Sequence, residues 1–516
     1  MAGEQTKAVL EGAMIAGPVQ LADWLVIAPV AIPILTGALL LMFRHSMRWQ
    51  AGFAALALLV MGAADAALLS RALTEGPIVM TMGRWLPPFG ITFAADVLGS
   101  AFALSATFVA LICVLFSARD VDAGDRRYGF YPFLMLMMAG VSGAFLTGDI
   151  FNLYVWFEVF LISSFGLLIL AADREQIDGA TKYAVLNLLA TAFFLIATAY
   201  LYGSFGTLNM ADIARKAKGL SATAPLTTIA ALYLLAFGMK AAAFPVNFWL
   251  PASYHTPRTA VSALFGGVLT KIGIYALLRT LVMLFPPERL ELSGLIGWIA
   301  GATMLLGALG ALAQSDFRRM AGFLVISGVG VMLAGLAIGG ANGISGSILY
   351  AMQSMLAMAA LYFLAGALKE YGGSFSLHEL GGLYRAYPAL AALAFVLFLA
   401  VAGLPPGLGL WPKVMLTNAA LEAGRGWLAA AVLTSGMLVT IALMRVFLLA
   451  FWRDGEIAAP GKSAGLTVAA LAILIMPLLL LGFYPEPVIR IAAAAAAGLL
   501  DPSVYIGAVF PTGGGQ

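Results

Sequence analysis

Residues 234–251 read LLAFGMKAAAFPVNFWLP. The stretch is apolar enough to enter a bilayer, yet it carries one ammonium group, Lys240, and two prolines, Pro245 and Pro251. Proline has no backbone N–H, and its ring collides with the carbonyl four residues back. A helix here is expected to break near Phe244 and to leave free carbonyls beside Lys240. A second stretch of the same character lies at 394–416, AFVLFLAVAGLPPGLGLWPKVML. Gly403, Pro405, Pro406, Gly407, Gly409 and Pro412 cannot all sit in one regular helix, and Lys413 follows them directly. Where these two breaks fall in the chain decides the fold.

The 516 residues are 62% apolar and 10% charged, against about 45–50% and about 25% in soluble domains. A soluble fold of this composition would face water with large apolar patches. Soluble enzymes, disordered chains and nucleic-acid binders are poor readings, and a net charge of +3 does not call for an anionic partner. A membrane span consumes roughly 20 residues. Apolar runs set against charged loops give about fourteen spans, at roughly 22–43, 51–70, 95–116, 130–147, 149–171, 180–202, 224–249, 259–285, 292–313, 320–339, 346–368, 388–410, 427–451 and 464–484.

The breaks then occupy spans seven and twelve. An offset of five spans is odd, so the two helices run in opposite directions. That is the signature of inverted-topology repeats, whose discontinuous helices mark a transport path. The expected fold is an all-α polytopic membrane protein with inverted five-helix repeats. An N-terminal three-span segment covers 1–128, the first repeat 129–285 (spans four to eight) and the second 286–452 (spans nine to thirteen). A C-terminal span and tail occupy 453–516. The tail from Pro485, with its Ala-rich stretch 492–497 and final Gly-Gly-Gly-Gln, reads as a surface helix followed by a frayed end. No basic region leads into an apolar run in the first twenty residues, so no cleavable signal peptide is expected. Loops after odd-numbered spans hold fourteen Lys and Arg against nine on the other side, a count that by the positive-inside rule puts both termini outside the cytoplasm. Arg215, Lys216 and Lys218, clustered on the outer side, moderate that bias.

Five basic residues remain within spans or breaks: Lys240, Lys271, Arg279, Lys413 and Arg445. A charge at a span centre costs roughly 2.5–3.5 kcal/mol on insertion scales and faces a bundle interior or a wet cavity. Arg279 and Arg445, nearer span ends, are expected to snorkel to the headgroups, and Asp65 is read as interfacial. Glu158, in TGDIFNLYVWFEVFLISSFGLL (147–168), lies near mid-membrane. Desolvation disfavours a charged lysine and a nearby carboxylate favours it, so Glu158 and Lys240 are either a proton-handling pair or a static tie between helices. Lys271 sits mid-span in LFGGVLTKIGIYALLR. Tyr350, Gln353 and Ser354 step along span eleven and are candidates to line a water path. His255 is a candidate titrating group at the inner mouth. Asp149 and Asn152 are expected to cap span five, and Asp316, Arg318 and Arg319 to anchor a loop at the interface. One cysteine, Cys113, excludes an intramolecular disulfide and a multi-thiolate metal site. With three scattered histidines and no HExxH, no metal or other cofactor is expected. A Lys-rich buried set with one Glu suits proton hopping better than bond cleavage, so an intramembrane enzyme is the remote alternative.

The run 147–168, the Lys240–Pro245 break, HTPRTAVSALFGGVLTKIGIYALLR and the GLPP…K break together resemble the antiporter-like family of membrane subunits. That family is shared by respiratory complex I, membrane-bound hydrogenases and Mrp multisubunit cation/proton antiporters. FNLYVWFE followed by ISS, and MRVFLLAFW in span thirteen, most resemble the D-type subunits of Mrp antiporters. The resemblance covers nearly all the spans. It implies a proton-translocating subunit of a monovalent cation (Na+ or K+)/proton antiporter, in a bacterial cytoplasmic membrane and assembled with the other Mrp subunits. A complex I-like or hydrogenase subunit is the runner-up. The resemblance maps the relay onto Glu158, Lys240, Lys271 and Lys413. The chain departs from the family on span eleven, where a histidine and a lysine are common in relatives and Gln353 and Met358 stand here.

Overall fold

The computed structural model describes residues 14–15, 21–220, 225–455 and 465–510. Apolar runs become helices throughout: α1 Ala28–Met42, α2 Met47–Thr74, α3 Val97–Asp120, α4 Phe130–Leu146, α5 Ile150–Leu168, α6 Arg174–Phe205, α7 Leu226–Ala241 and α8 Thr259–Leu284. They continue with α9 Pro286–Ala313, α10 Phe317–Ile338, α11 Gly340–Gly372, α12 Pro388–Ala402, α13 Gly426–Trp452 and α14 Gly465–Phe483. Two short helices, α15 Glu486–Leu500 and α16 Ser503–Val509, end the described chain. Among the described residues, nine helices are long and apolar enough to cross a membrane, or ten if the bent pair at Thr467–Phe483 and Glu486–Leu500 counts as one span.

Burial ranks these helices. The apolar window of α8 is wholly buried and those of α10 and α11 are 89% buried, whereas α6 and α13 bury 39%. α8, α10 and α11 are therefore the axis of the molecule, and α6 and α13 its flanks. Gly273 shows how tightly α8 seats. A Cβ there would lie 2.9 Å from the backbone of both Phe237 and Ala241, so only glycine brings this helix against the end of α7.

The fold is not purely helical. Ile78–Thr81 (β1) and Thr92–Ala95 (β2) pair antiparallel, Ile78 opposite Ala95. This hairpin and α16 enclose the end of α8, which corrects the expectation for Arg279. Its side chain is 1% exposed and does not reach headgroups. It donates to Asp96 at 2.5 Å and to the Tyr275 hydroxyl at 3.0 Å, with the Tyr505 ring alongside. Snorkelling needs an open route to the surface, and here the route is closed by the chain itself.

Three other expectations change. Arg445 turns inward and donates to the carbonyls of Leu312 and Gln314 at the end of α9, where a cation satisfies otherwise orphaned acceptors. Asp65 is fully buried between α2 and α3 and accepts the Thr107 hydroxyl at 2.6 Å, so it is not interfacial. The tail helix α15 is docked: Ala492, Ala495, Ala496 and Leu499 are buried and the helix packs on α3 and α11. Its small side chains allow that close fit. The Gly-Gly-Gly-Gln end lies outside the described residues. The basic cluster sits on an amphipathic surface helix, Met210–Leu220, where Asp212 pairs with Arg215 and Lys216.

Candidate functional site

The site begins where Asp149 caps α5, accepting from the Asn152 amide at 2.8 Å. Two turns on, Glu158 leaves the helix half-buried, facing α6. It does not meet Lys240. Thr191 of α6 stands between them, donating its hydroxyl to Glu158 Oε1 at 2.9 Å and accepting from Lys240 Nζ at 2.9 Å. Lys240 is 5% exposed, and its Nζ lies 4.9 Å from the centre of the Phe157 ring, a cation–π contact that offsets part of its lost hydration.

α7 ends just after this lysine. Ala242 takes the left-handed conformation at φ 62°, and the Ala243 amide returns to the Gly238 carbonyl at 2.8 Å. The break therefore comes at Ala242, slightly earlier than Pro245 alone predicts. It also places Lys240 at a helix C-terminus, where carbonyl dipoles favour a cation. In the second break Gly403 is left-handed at φ 79°, and the Leu404 amide returns to the Leu399 carbonyl at 2.9 Å. Pro245 and Pro406 each stand three residues after the left-handed residue. The helix resumes at Trp249–Ser253 in the first break and at Leu410–Glu422 in the second.

Lys413 belongs to that resumed helix. Its Nζ donates to the Ala402 carbonyl at 2.5 Å and borders a cavity of about 550 Å³ with Thr417, Asn418 and Thr440. Lys271, fully buried in α8, follows a widened turn at Phe265–Leu269 and donates to the Gly266 carbonyl at 2.7 Å. Among the described residues none of the three lysines makes an ion pair with a carboxylate.

Of the span-eleven candidates, Gln353 reaches the second break. Its Nε2 donates to the Ala400 carbonyl at 3.2 Å, and its buried Oε1 has no partner among the described residues. Tyr350 turns toward α10, its ring against Gly328, and Ser354 is buried. Met358 is buried as well. His255 is 5% exposed, with Nδ1 2.8 Å from the Pro251 carbonyl, and it borders a cavity of about 460 Å³ with Glu175, Asp178, Lys182 and Arg319. Burial first, then the charges of Arg319 and Arg318, hold this imidazole below its ordinary value. Asp316 caps α10, accepting from the amides of Arg318 and Arg319. Among the described residues no group of three or more His, Cys, Asp or Glu is placed to hold a metal ion.

Sequence reasoning missed Thr191, because a threonine on a membrane helix is commonplace and nothing in its neighbours sets it apart. It also missed the buried hydroxyls of Tyr254, Thr270 and Tyr362, which have no partner among the described residues. Tyr362 lies against Gly266, the residue whose carbonyl holds Lys271.

A family model described as "NADH:quinone oxidoreductase/Mrp antiporter, TM" matches residues 147–439. The D-type subunit of the Na(+)/H(+) antiporter from Alkalihalophilus pseudofirmus is 39% identical over 492 residues, covering 94% of this chain and 99% of that one. The protein of the same name from Bacillus subtilis is 37% identical over 487 residues, with the same coverage. In the solved structure of the Mrp complex from Dietzia sp., a chain superposes with a TM-score of 0.87 at 28% identity, covering 95% of this chain and 100% of that one.

Proposed function

The chain belongs to the NADH:quinone oxidoreductase/Mrp antiporter family of membrane subunits, and on that footing we propose how it moves protons. It is a D-type membrane component of a multisubunit Na+/H+ antiporter, a transporter subunit and not an enzyme, and it works with the other subunits of an Mrp complex. The close likeness to antiporter subunits over almost the whole chain favours this reading over a complex I-like or hydrogenase subunit.

The proposed path runs along Glu158, Lys240, Lys271 and Lys413, and the single observation that carries it, at its first step, is the unbroken hydrogen-bonded chain Glu158–Thr191–Lys240. His255 and its cavity serve as the inner mouth, and Gln353, with its unpartnered oxygen beside the second break, lines a hydrated link between the halves, with Tyr350 and Ser354 on its flank. Water needs two to four polar partners, and the Gln353 oxygen, which has none among the described residues, offers one beside the second break.

The reading of fourteen spans draws support from four shorter apolar helices beside the long ones: Ala28–Met42, Phe130–Leu146, Leu226–Ala241 and Pro388–Ala402. The last two are short because they are the first halves of the broken helices. The matching backbone of the two breaks supports inverted repeats at 129–285 and 286–452, flanked by 1–128 and 453–516. Both termini face outward in this reading. Cysteine at Phe89, in a background lacking Cys113, is then labelled by an impermeant maleimide in intact cells, and cysteine at Tyr128 is not. Reverse labelling overturns the orientation.

The relay is tested in everted membrane vesicles holding the assembled complex. Glu158→Gln and Lys240→Ala each abolish cation-driven proton movement while leaving assembly intact. Wild-type exchange in both variants makes the pair a structural tie and removes the proposal.

A further inference from the structure

Hydroxyls on the helices of this chain mostly close back on their own backbone. Thr181, Thr198 and Thr280 each donate to the carbonyl four residues earlier, as do Ser163 and Thr440. This is the ordinary resting state of such side chains in membrane helices. Thr191 departs from it. Its hydrogen goes to a carboxylate on α5, and its oxygen takes a proton donor from α7. It is 7% exposed and joins an acid and a base that do not touch each other.

We propose that Thr191 is a proton-passing residue, the link through which Lys240 and Glu158 exchange a proton. The inference rests on the reading of those two residues as the relay. In the step, the Thr191 O–H bond breaks and its proton bonds to Glu158 Oε1. An N–H proton of Lys240 takes its place on Oγ1. Each bonding pair stays with the heavy atom that loses the proton. Lys240 ends as a neutral amine, Glu158 as a carboxylic acid, and Thr191 is again a hydroxyl. Two opposite charges, the lysine's buried and the glutamate's partly buried, vanish and no new charge is made.

The geometry also sets a direction. Before the step the Thr191 hydrogen points to Glu158. Afterwards the hydrogen on Oγ1 points back to Lys240, and the new hydrogen on Glu158 points to Thr191. No second proton can follow along this path until Glu158, whose side chain is only partly buried, releases its own elsewhere. The hydroxyl therefore passes one proton per cycle, which is what a coupled exchanger requires of such a link.

The test uses the assembled complex in everted vesicles, with assembly followed by native gel. Valine matches threonine in shape but has no hydroxyl, so Thr191→Val is expected to slow proton movement on the order of a hundredfold, the usual scale for losing a positioned proton-transfer group. Thr191→Ser keeps the hydroxyl and is expected to stay near the wild-type rate with the wild-type solvent deuterium isotope effect. A residue that merely holds Lys240 in place would alter the rate without changing that isotope effect. A slow Val variant with an unchanged isotope effect therefore overturns the inference, as does a Val variant at the wild-type rate. Should valine prevent assembly, Thr191→Cys is read instead: a thiol is a weak donor, and a rate well below the serine variant supports the proposal whereas equality overturns it. Glu158→Gln and Lys240→Ala are run alongside. If those two are inactive while Thr191→Val is normal, only this inference falls. If those two are active, the relay itself falls.

Discussion

The break after α7 and the break after α12 share one backbone plan and use it differently. Each has a left-handed residue, an amide that reaches back across the helix end, and a proline three residues later. Lys240 precedes its turn and is joined through Thr191 to a carboxylate. Lys413 follows its turn and donates to a backbone carbonyl beside a cavity. A carboxylate can gain or lose a full charge, whereas a carbonyl offers a fixed dipole. The first lysine is therefore linked, through one hydroxyl, to a group able to take up a proton. The second has that carbonyl and the Thr417, Asn418 and Thr440 side chains around its cavity. Equal backbone architecture does not give equal chemistry, because the side of the turn on which the lysine sits decides which atoms it can reach.

The sharpest way to break this comparison is to remove the partner that only one side has. Glu158→Gln is expected to abolish exchange, although it leaves the second break untouched. Exchange that survives would mean the two lysines work alike.

Next in size is a change at the turn itself. A Cβ on Gly403 would lie 2.5 Å from Lys413 Cδ, at a φ of 79° that side chains rarely adopt. Gly403→Ala should cost about 1–2 kcal/mol for the left-handed conformation and push the Lys413 amine off the Ala402 carbonyl. Exchange should fall severalfold or more, with only a modest loss of assembled complex. The equivalent position in the first break, Ala242, already bears that strain at φ 62°. Ala242→Gly is accordingly expected to raise thermal stability slightly, by about 1 kcal/mol at most. Opposite signs at the two turns, read by thermal unfolding of the purified complex, sharpen the comparison, and a loss of stability at both defeats it.

The smallest expected effect lies between the breaks. Gln353→Leu removes the amide that touches the Ala400 carbonyl, and it should slow exchange more than Met358→Leu, which changes shape but little polarity. Equal rates for the two variants would show that no hydrated link runs along α11.

Much of this molecule was legible in the sequence. Bilayer thickness and the cost of unpaired backbone polar groups leave a long apolar chain little choice but helices. The run of apolar segments therefore gave the helices almost in full, and Glu158, Lys240, Lys271 and Lys413 stood out because charge is expensive in such segments. Proline chemistry marked both breaks within a few residues. What the sequence does not hold is the direction in which each side chain leaves its helix and what it meets there. Arg279 and Asp96 are far apart in the chain and become an ion pair only when β1, β2 and α16 fold over the end of α8. Asp65 looks interfacial by position and is buried because α3 packs over it with Thr107. Thr191 carries no signal in its own neighbourhood. Its role exists only because α5, α6 and α7 pack so that one hydroxyl falls within 2.9 Å of both a carboxylate and an amine. Cost in the membrane can be read one residue at a time, but a hydrogen bond joins two residues, and their separation is fixed only by the packing of the helices that carry them.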